Sequence, residues 1–255
     1  MCLLNADPPL LQFAAANLKT ALTAVRANMG LTVVAYVFLF LAFGWSLWWS
    51  VTAGAAMSSV GTGIVFLFLL SYYWTHQVIQ NTVHVTTTGV IGTWWFVPLE
   101  ASSCWSQALT ESFVRATTYS FGSICFGSFL VALVQALRAL HRMAHQNDDC
   151  SFLICFIDCI LGCIEGIIEY LNKWAYVYVG LYGYSYLEAG RNVITLFQNK
   201  GWTAIITDDL VDNVLGMVSI GIGLFTGLVG WIMATVDQNL FAGIDYADGG
   251  GVGFM

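Results

Sequence analysis

Apolar residues run along this chain in long blocks rather than in strand-like alternation. A helix needs about 20 mostly apolar residues to traverse the hydrocarbon core of a bilayer. Four charge-free windows meet that length: Met29 to Ser50, Gly63 to about Val85, Thr117 to Leu137, and Asn213 to Val236. Each is predicted helical, because lipid leaves a non-barrel backbone no other way to pair its N–H and C=O groups. A fifth block, Cys150 to Leu171, is apolar but carries Asp158, Glu165 and Glu169. At 100° per residue these acids share one face with Gly162, Gly166, Cys155, Cys159 and Cys163, while isoleucines and leucines fill the other. Such a helix either lies flat in the interface or crosses with its isoleucine face in lipid and its small, acidic face turned toward the bundle.

Loop charge separates these two readings. If the fifth block crosses, Lys19, Arg26, Arg115, Lys173, Arg191 and Lys200 fall on one side and Arg138 and Arg142 on the other, six against two. If it does not cross, the split is three against five, which is no bias. Basic residues concentrate in cytoplasmic loops, so five crossings are expected, with Lys19, Arg26 and the stretch from Lys173 to Asp212 cytoplasmic. The fold class is then all-α, a polytopic transmembrane helical bundle of about five spans. Residues 1–28 form an amphipathic lead-in helix starting near Pro8, and 29–137 hold three spans separated by a small-residue turn, Thr52 to Gly63, and a polar loop, Pro98 to Thr110. Residues 138–171 are a loop followed by the acidic, Cys-rich span, 172–212 a cytoplasmic helical segment, and 213–236 the last span. Residues 237–255 make an external Gly-rich tail that looks cut in mid-architecture.

Composition sharpens this picture. The chain is 58% hydrophobic and 9% charged, far below the roughly 25% charged residues of a soluble domain. No Asp, Glu, Lys or Arg occurs from Ala27 to Leu99. A net charge of −7 supplies no basic field for phosphate, so nucleic acid is not an expected partner; the lipid bilayer is.

Within the second span, Tyr73, His76, Gln77, Gln80, Asn81 and His84 occupy one arc of less than half the helix circumference. Polar side chains in a charge-free span face protein or a water-filled cavity, since lipid offers them no hydrogen-bond partner. They serve either as interhelical hydrogen bonds that hold the bundle or as the lining of a solute pathway, with imidazoles able to carry protons near neutral pH. Tyr72 and Tyr73 add an aromatic wall, and with no lysine near it such a wall suits an organic cation, which ring quadrupoles attract. Of the ten tryptophans, Trp45, Trp48, Trp49, Trp94 and Trp95 cluster at span ends, where an interfacial belt belongs.

Other patterns read as structure. Cys150, Cys155, Cys159 and Cys163 lack the paired spacing of a zinc site and suit small apolar packing, with juxtamembrane S-palmitoylation as the alternative. Gly223 and Gly227 form a G-x-x-x-G packing face inside a span. Asp208, Asp209 and Asp212 suit helix capping and dipole complementation more than metal binding. No nucleophile–base signature or nucleotide loop occurs, so neither an enzyme nor a bound cofactor or metal is expected.

Several long stretches carry a resemblance: FAAANLKTALTAVRANMGLTVVAYVF from Phe13, SYYWTHQVIQNTVHVTTTGVIGTWWF from Ser71, TYSFGSICFGSFLVALVQALR from Thr118, YLNKWAYVYVGLYGYSYLEAG from Tyr170 and DDLVDNVLG from Asp208. With these the chain resembles the choline transporter-like family, most closely its fungal and plant-type branch, the pH-nine-sensitive proteins. The resemblance implies a ten-span architecture of which this chain matches the C-terminal half, the fifth to ninth spans, with the final span missing. It also implies transport of choline or a related small organic cation across the plasma membrane without ATP hydrolysis, in some members proposed to run against protons. A non-transporting membrane scaffold or pH-response protein is the alternative, and a lipid-handling enzyme the weakest reading. The resemblance assigns no substrate residue; the stripe from Tyr72 to His84 is read from the residues alone. Oligomeric state is not legible.

Overall fold

The structure, a computed structural model, describes residues 8–56, 61–144, 152–200 and 215–230. All regular structure among them is helical: α1 (Pro8–Ala27), α2 (Gly30–Ala56), α3 (Thr62–Phe96), a 3-10 turn (Pro98–Ala101), α4 (Gln107–Thr117), α5 (Phe121–Ala144), α6 (Phe152–Tyr182) and α7 (Tyr186–Lys200), then α8 (Leu215–Gly230). The chain divides into two compact units, Asn17–Gly201 and a second formed by Met1–Ala16 with Trp202–Met255. The architecture below concerns the first.

The helix bounds follow local chemistry. α2 begins where Gly30 donates its N–H to the Cys104 carbonyl at 2.7 Å, an approach so close that a Cβ at Gly30 would overlap that carbonyl and the Leu109 side chain. Asn28 ties the same corner, accepting from Ser106 Oγ at 3.1 Å. Ser106 in turn caps α4, its hydroxyl accepting the Leu109 N–H at 3.1 Å, which satisfies one of the orphan donors of a first helical turn. The polar stretch Pro98 to Thr110 is thus a 3-10 turn and the start of a helix rather than an open loop. α3 runs on past Val85 to Phe96 because no breaker intervenes before Pro98, which cannot continue the i→i−4 ladder.

α6 likewise continues through Leu171 to Tyr182, joining the acidic segment to the first residues after it in one helix. It stops at Gly183, whose φ of +72° is the left-handed conformation glycine adopts without a Cβ penalty. Its N–H closes the last turn on the Val179 carbonyl at 3.0 Å. Asp208, Asp209, Asp212, Cys150 and the tail from Asp237 lie outside the described residues, and of Asn213 to Val236 the portion 215–230 is described, as α8.

α3 is the central element, packed against α2, α4, α5 and α6. Three buried clusters hold it. Val85 meets Ile124 of α5, Tyr176 and Val179 of α6 and Ala189 and Val193 of α7; Val90 meets Leu31, Val34 and Leu109; Val65 and Leu69 meet Ala136 of α5. Hydrogen bonds fix the directions. Gln77 reaches Gln135 and Asn81 reaches Ser128, so α5 runs antiparallel to α3. Gln135 reaches Glu169 and Ser128 reaches Tyr176, so α6 runs antiparallel to α5 and parallel to α3.

Among the described residues two helices, over Gly30–Gly54 and Phe121–Met143, are long and apolar enough to cross a membrane, and the shorter α8 is apolar. α3 and α6 carry polar groups along one side: the stripe from Tyr72 to His84 in α3, and Asp158, Glu165, Glu169 and Lys173 in α6. Those groups are where the cavity lies.

Candidate functional site

A cavity of about 590 Å³ opens between α3, α5 and α6, within the usual range for small-molecule sites. From α3 it is lined by Tyr72, Tyr73, His76, Gln77, Gln80, Asn81 and His84, which are all seven residues of the predicted stripe. Spacings of three, four and seven put these side chains one above another on a single helix face. Val131 and Gln135 of α5 and Glu169, Asn172 and Lys173 of α6 complete the wall.

The neutral amides of this wall form a directed chain. An ionised carboxylate can only accept, so Gln135 turns its NH₂ to Glu169, donating at 2.9 Å. Its carbonyl then accepts from Gln77 Nε2 at 3.4 Å, and the Gln77 carbonyl accepts from Asn81 Nδ2 at 3.4 Å. Asn81 Nδ2 also donates to Ser128 Oγ at 3.0 Å, the Ser128 and Tyr176 hydroxyls lie 3.2 Å apart, and Tyr176 donates to the Ile124 carbonyl at 2.9 Å. A polar thread thus runs from the cavity wall into the apolar core around Tyr176.

The aromatic end of the cavity is built on α2 as well as α3. Tyr72 packs on Trp49 with ring centroids 4.7 Å apart and meets Tyr73 edge-on at 5.3 Å. His76 lies 6.2 Å from the Tyr72 ring, and the Tyr72 hydroxyl is 3.5 Å from Ser46 Oγ. At the other end the His84 ring sits 6.3 Å from that of Tyr176.

The three acids of α6 face α5, but not in one role. Arg138 bridges Asp158 at 3.4 Å and Glu165 at 2.5 Å, and Arg142 reaches Asp158 at 3.4 Å. The Arg138 guanidinium lies across Gly162, where a Cβ would stand 3.0 Å from it, so the small residue of that face makes room for the ion pairs. Glu169 is separate: its α5 partner is the neutral amide of Gln135, and it lines the cavity. Of the cysteines, Cys159 and Cys163 are exposed thiols on α6.

One expectation is overturned. The aromatic wall is not free of lysine, because Lys173 lies in the same cavity lining. Ending the fifth block at Leu171 had put Lys173 in a loop; the continuous α6 carries it one turn past Glu169 on the same face. Gln135, Asn172 and the cavity position of Glu169 also went unrecognised. Their signal is present, since Glu165, Glu169, Asn172, Lys173 and Tyr176 recur at helical spacing once α6 is read as one helix.

Residues 9–247 match the sequence profile of the family described as plasma-membrane choline transporter. The chain belongs to the choline transporter-like family. Within that family it is similar to the fungal PNS1 proteins: it is 36% identical to Protein PNS1 of Debaryomyces hansenii over 186 residues, covering 70% of this chain and 36% of PNS1. With Protein PNS1 of Saccharomyces cerevisiae the identity is 32% over 186 residues, 70% of this chain and 34% of the relative. A CTL-like protein of Dictyostelium discoideum is 29% identical over 241 residues, 91% of this chain and 43% of the relative. The chain therefore spans less than half the length of these curated relatives. Family membership makes this a membrane protein of a transporter-like family.

Proposed function

We propose that this choline transporter-like chain forms part of a plasma-membrane carrier for choline or a related small organic cation, and that the cavity between α3, α5 and α6 is its solute path. The carrying observation is the lining itself: tyrosine faces, neutral amides, two imidazoles, Lys173 and one carboxylate, gathered from three helices around an open volume, with Glu169 one turn nearer the tyrosines than Lys173. Ring faces attract quaternary ammonium groups by roughly 0.5 to 2 kcal/mol each, and Glu169 adds charge where the amide chain ends. Protons are a candidate coupling ion, since His76 and His84 stand on the same wall.

Five crossings suit this geometry. α6 returns along α5 residue by residue, from Arg138 with Glu165 through Gln135 with Glu169 to Ser128 with Tyr176, as a helix lying flat in the interface would not. With Lys173 moved from loop to cavity the basic residues still divide five against two, keeping Lys19, Arg26, Arg115, Arg191 and Lys200 cytoplasmic. The Tyr72–Tyr73 end then faces outward.

Uptake of radiolabelled choline into proteoliposomes tests the reading. Tyr73→Leu keeps bulk and removes the ring, and is expected to weaken cation affinity about two- to thirty-fold with membrane insertion unchanged. Correct insertion with no saturable uptake and no cation binding would favour a non-transporting scaffold or pH-response protein instead.

A further inference from the structure

The two charged groups that line the cavity, Glu169 and Lys173, lie at different levels of it. Glu169 stands at the level of Gln77, through Gln135, while the preceding acid on its face, Glu165, is ion-paired with Arg138, and Tyr73 has both Glu165 and Arg142 as electrostatic neighbours. Lys173, one turn further along α6, is the charged neighbour of His84. Because α3 and α6 run in the same direction, the carboxylate coincides with the tyrosine end and the ammonium with the His84 end. Four residues at 1.5 Å each separate the two by about 6 Å along the helix axis.

Between them Asn172, 4% exposed, lines the cavity and sets its Oδ1 against Gly127 of α5 beside the Tyr176 hydroxyl. A bare tetraalkylammonium ion would use the acidic end alone and would be opposed by Lys173.

We infer that the cavity takes a dipolar solute, with a quaternary ammonium head at the Tyr73–Glu169 end and an anionic group at the Lys173–His84 end. This rests on the reading of the cavity as an organic-cation path and extends its substrate class to quaternary ammonium zwitterions. A lysine ammonium has three donors, so Lys173 can hold another partner and still meet the anionic group.

Calorimetric titration of the full chain in lipid nanodiscs separates the two claims, with tetramethylammonium as a plain cation, choline as a hydroxylated cation, and carnitine as a hydroxylated zwitterion. Carnitine is expected to bind about tenfold or more tighter than either tetramethylammonium or choline, neither of which carries an anionic group for Lys173. Lys173→Gln should abolish the advantage of carnitine without weakening tetramethylammonium, Lys173→Arg should preserve it, and Glu169→Gln should weaken all three. Equal affinities in the unsubstituted protein, or an advantage that survives Lys173→Gln, would overturn the dipolar site. Tetramethylammonium binding that still depends on Glu169 would leave the cation path standing in that case. No binding of any of the three would bring down the cation path itself. Should Lys173→Gln fail to fold, the ranking of the three ligands on the unsubstituted protein decides alone.

Discussion

α2 and α3 are both free of charged residues, yet the structure uses them in opposite ways. α2 is apolar nearly throughout and holds its large side chains outward, with Phe40 72% and Trp48 73% exposed. α3 is interrupted by Tyr, His, Gln, Asn and Thr and sits at the centre, with Asn81, Thr82 and Thr86 buried. In water the ranking would be reversed. In a bilayer the apolar helix loses nothing at the periphery, because lipid tails are as apolar as its own side chains, whereas amides and imidazoles find partners only among other helices or in a wet cavity. Position in this bundle is therefore decided by polar content, and the position of a polar group marks the interior.

The largest expected effect tests the peripheral half of that contrast. Phe40 lies near the middle of the apolar stretch Gly30–Gly54 on the outward face. Phe40→Arg should lower insertion of α2 by roughly 2.5 to 3.5 kcal/mol, the usual penalty for arginine at a span centre, visible as loss of membrane-integrated protein in a glycosylation-mapping assay. Normal integration would mean that this face meets water or protein, and α2 would no longer be the lipid-facing partner of the pair.

The next effect concerns why α3 can be central at all. Gly180 of α6 packs on α3 so closely that a Cβ would stand 2.8 Å from Thr88 Cβ and 2.9 Å from the Val85 carbonyl oxygen. Its own carbonyl accepts from Arg115 Nη2 at 2.6 Å, which pairs an orphan acceptor near the α6 C-terminus with a cation. Gly180→Leu should overpack this crossing and cost about 1 to 3 kcal/mol, read as a lower melting temperature in detergent, while Gly44→Leu on α2, where a Cβ meets nothing within 4 Å, should leave the melt unchanged. Equal shifts would show the two helices to be equally constrained.

How much of this was legible in the sequence differs along the same lines. The stripe of α3 stood out because polar residues are rare in a charge-free span, and each residue of that stripe lines the cavity. The acidic face of α6 was readable from periodicity. What could not be read was pairing across helices: Gln135 looks like any lone glutamine until the register of α5 sets it between Gln77 and Glu169. Lys173 was misplaced because a cation in an apolar run looks like a span boundary, whereas a continuous helix can carry it to a cavity wall.

A smaller effect probes the amide thread. Asn81 is 7% exposed and donates to both Ser128 and Gln77. Asn81→Leu keeps the branched shape and removes those donors, leaving the Gln77 carbonyl and the Ser128 hydroxyl without them. Interhelical hydrogen bonds within membranes average about 0.6 kcal/mol and reach about 1.7, so the loss of stability should fall between those values in a reversible unfolding titration. A larger loss would show that the thread acts cooperatively; none would detach it from the packing of α3 and α5.

The smallest effect returns to Phe40, now with its chemistry conserved. Phe40→Leu exchanges one apolar side chain for another at a position that is 72% exposed and whose ring makes none of the aromatic contacts that hold Trp49, Tyr72 and Tyr73 together. In water, trimming an exposed Phe would alter solubility by reducing an apolar patch. In lipid neither variant differs much from the acyl chains it touches, so stability should stay within about 0.5 kcal/mol of the parent and membrane integration should not change. The informative measurement is the pair at one position: Phe40→Arg severe and Phe40→Leu silent identifies a lipid-facing site, because only an apolar solvent penalises charge so strongly while ignoring shape. If Phe40→Leu destabilises by more than about 1 kcal/mol, Phe40 is packed against protein, and the outward face of α2 is a protein interface rather than a boundary with the bilayer.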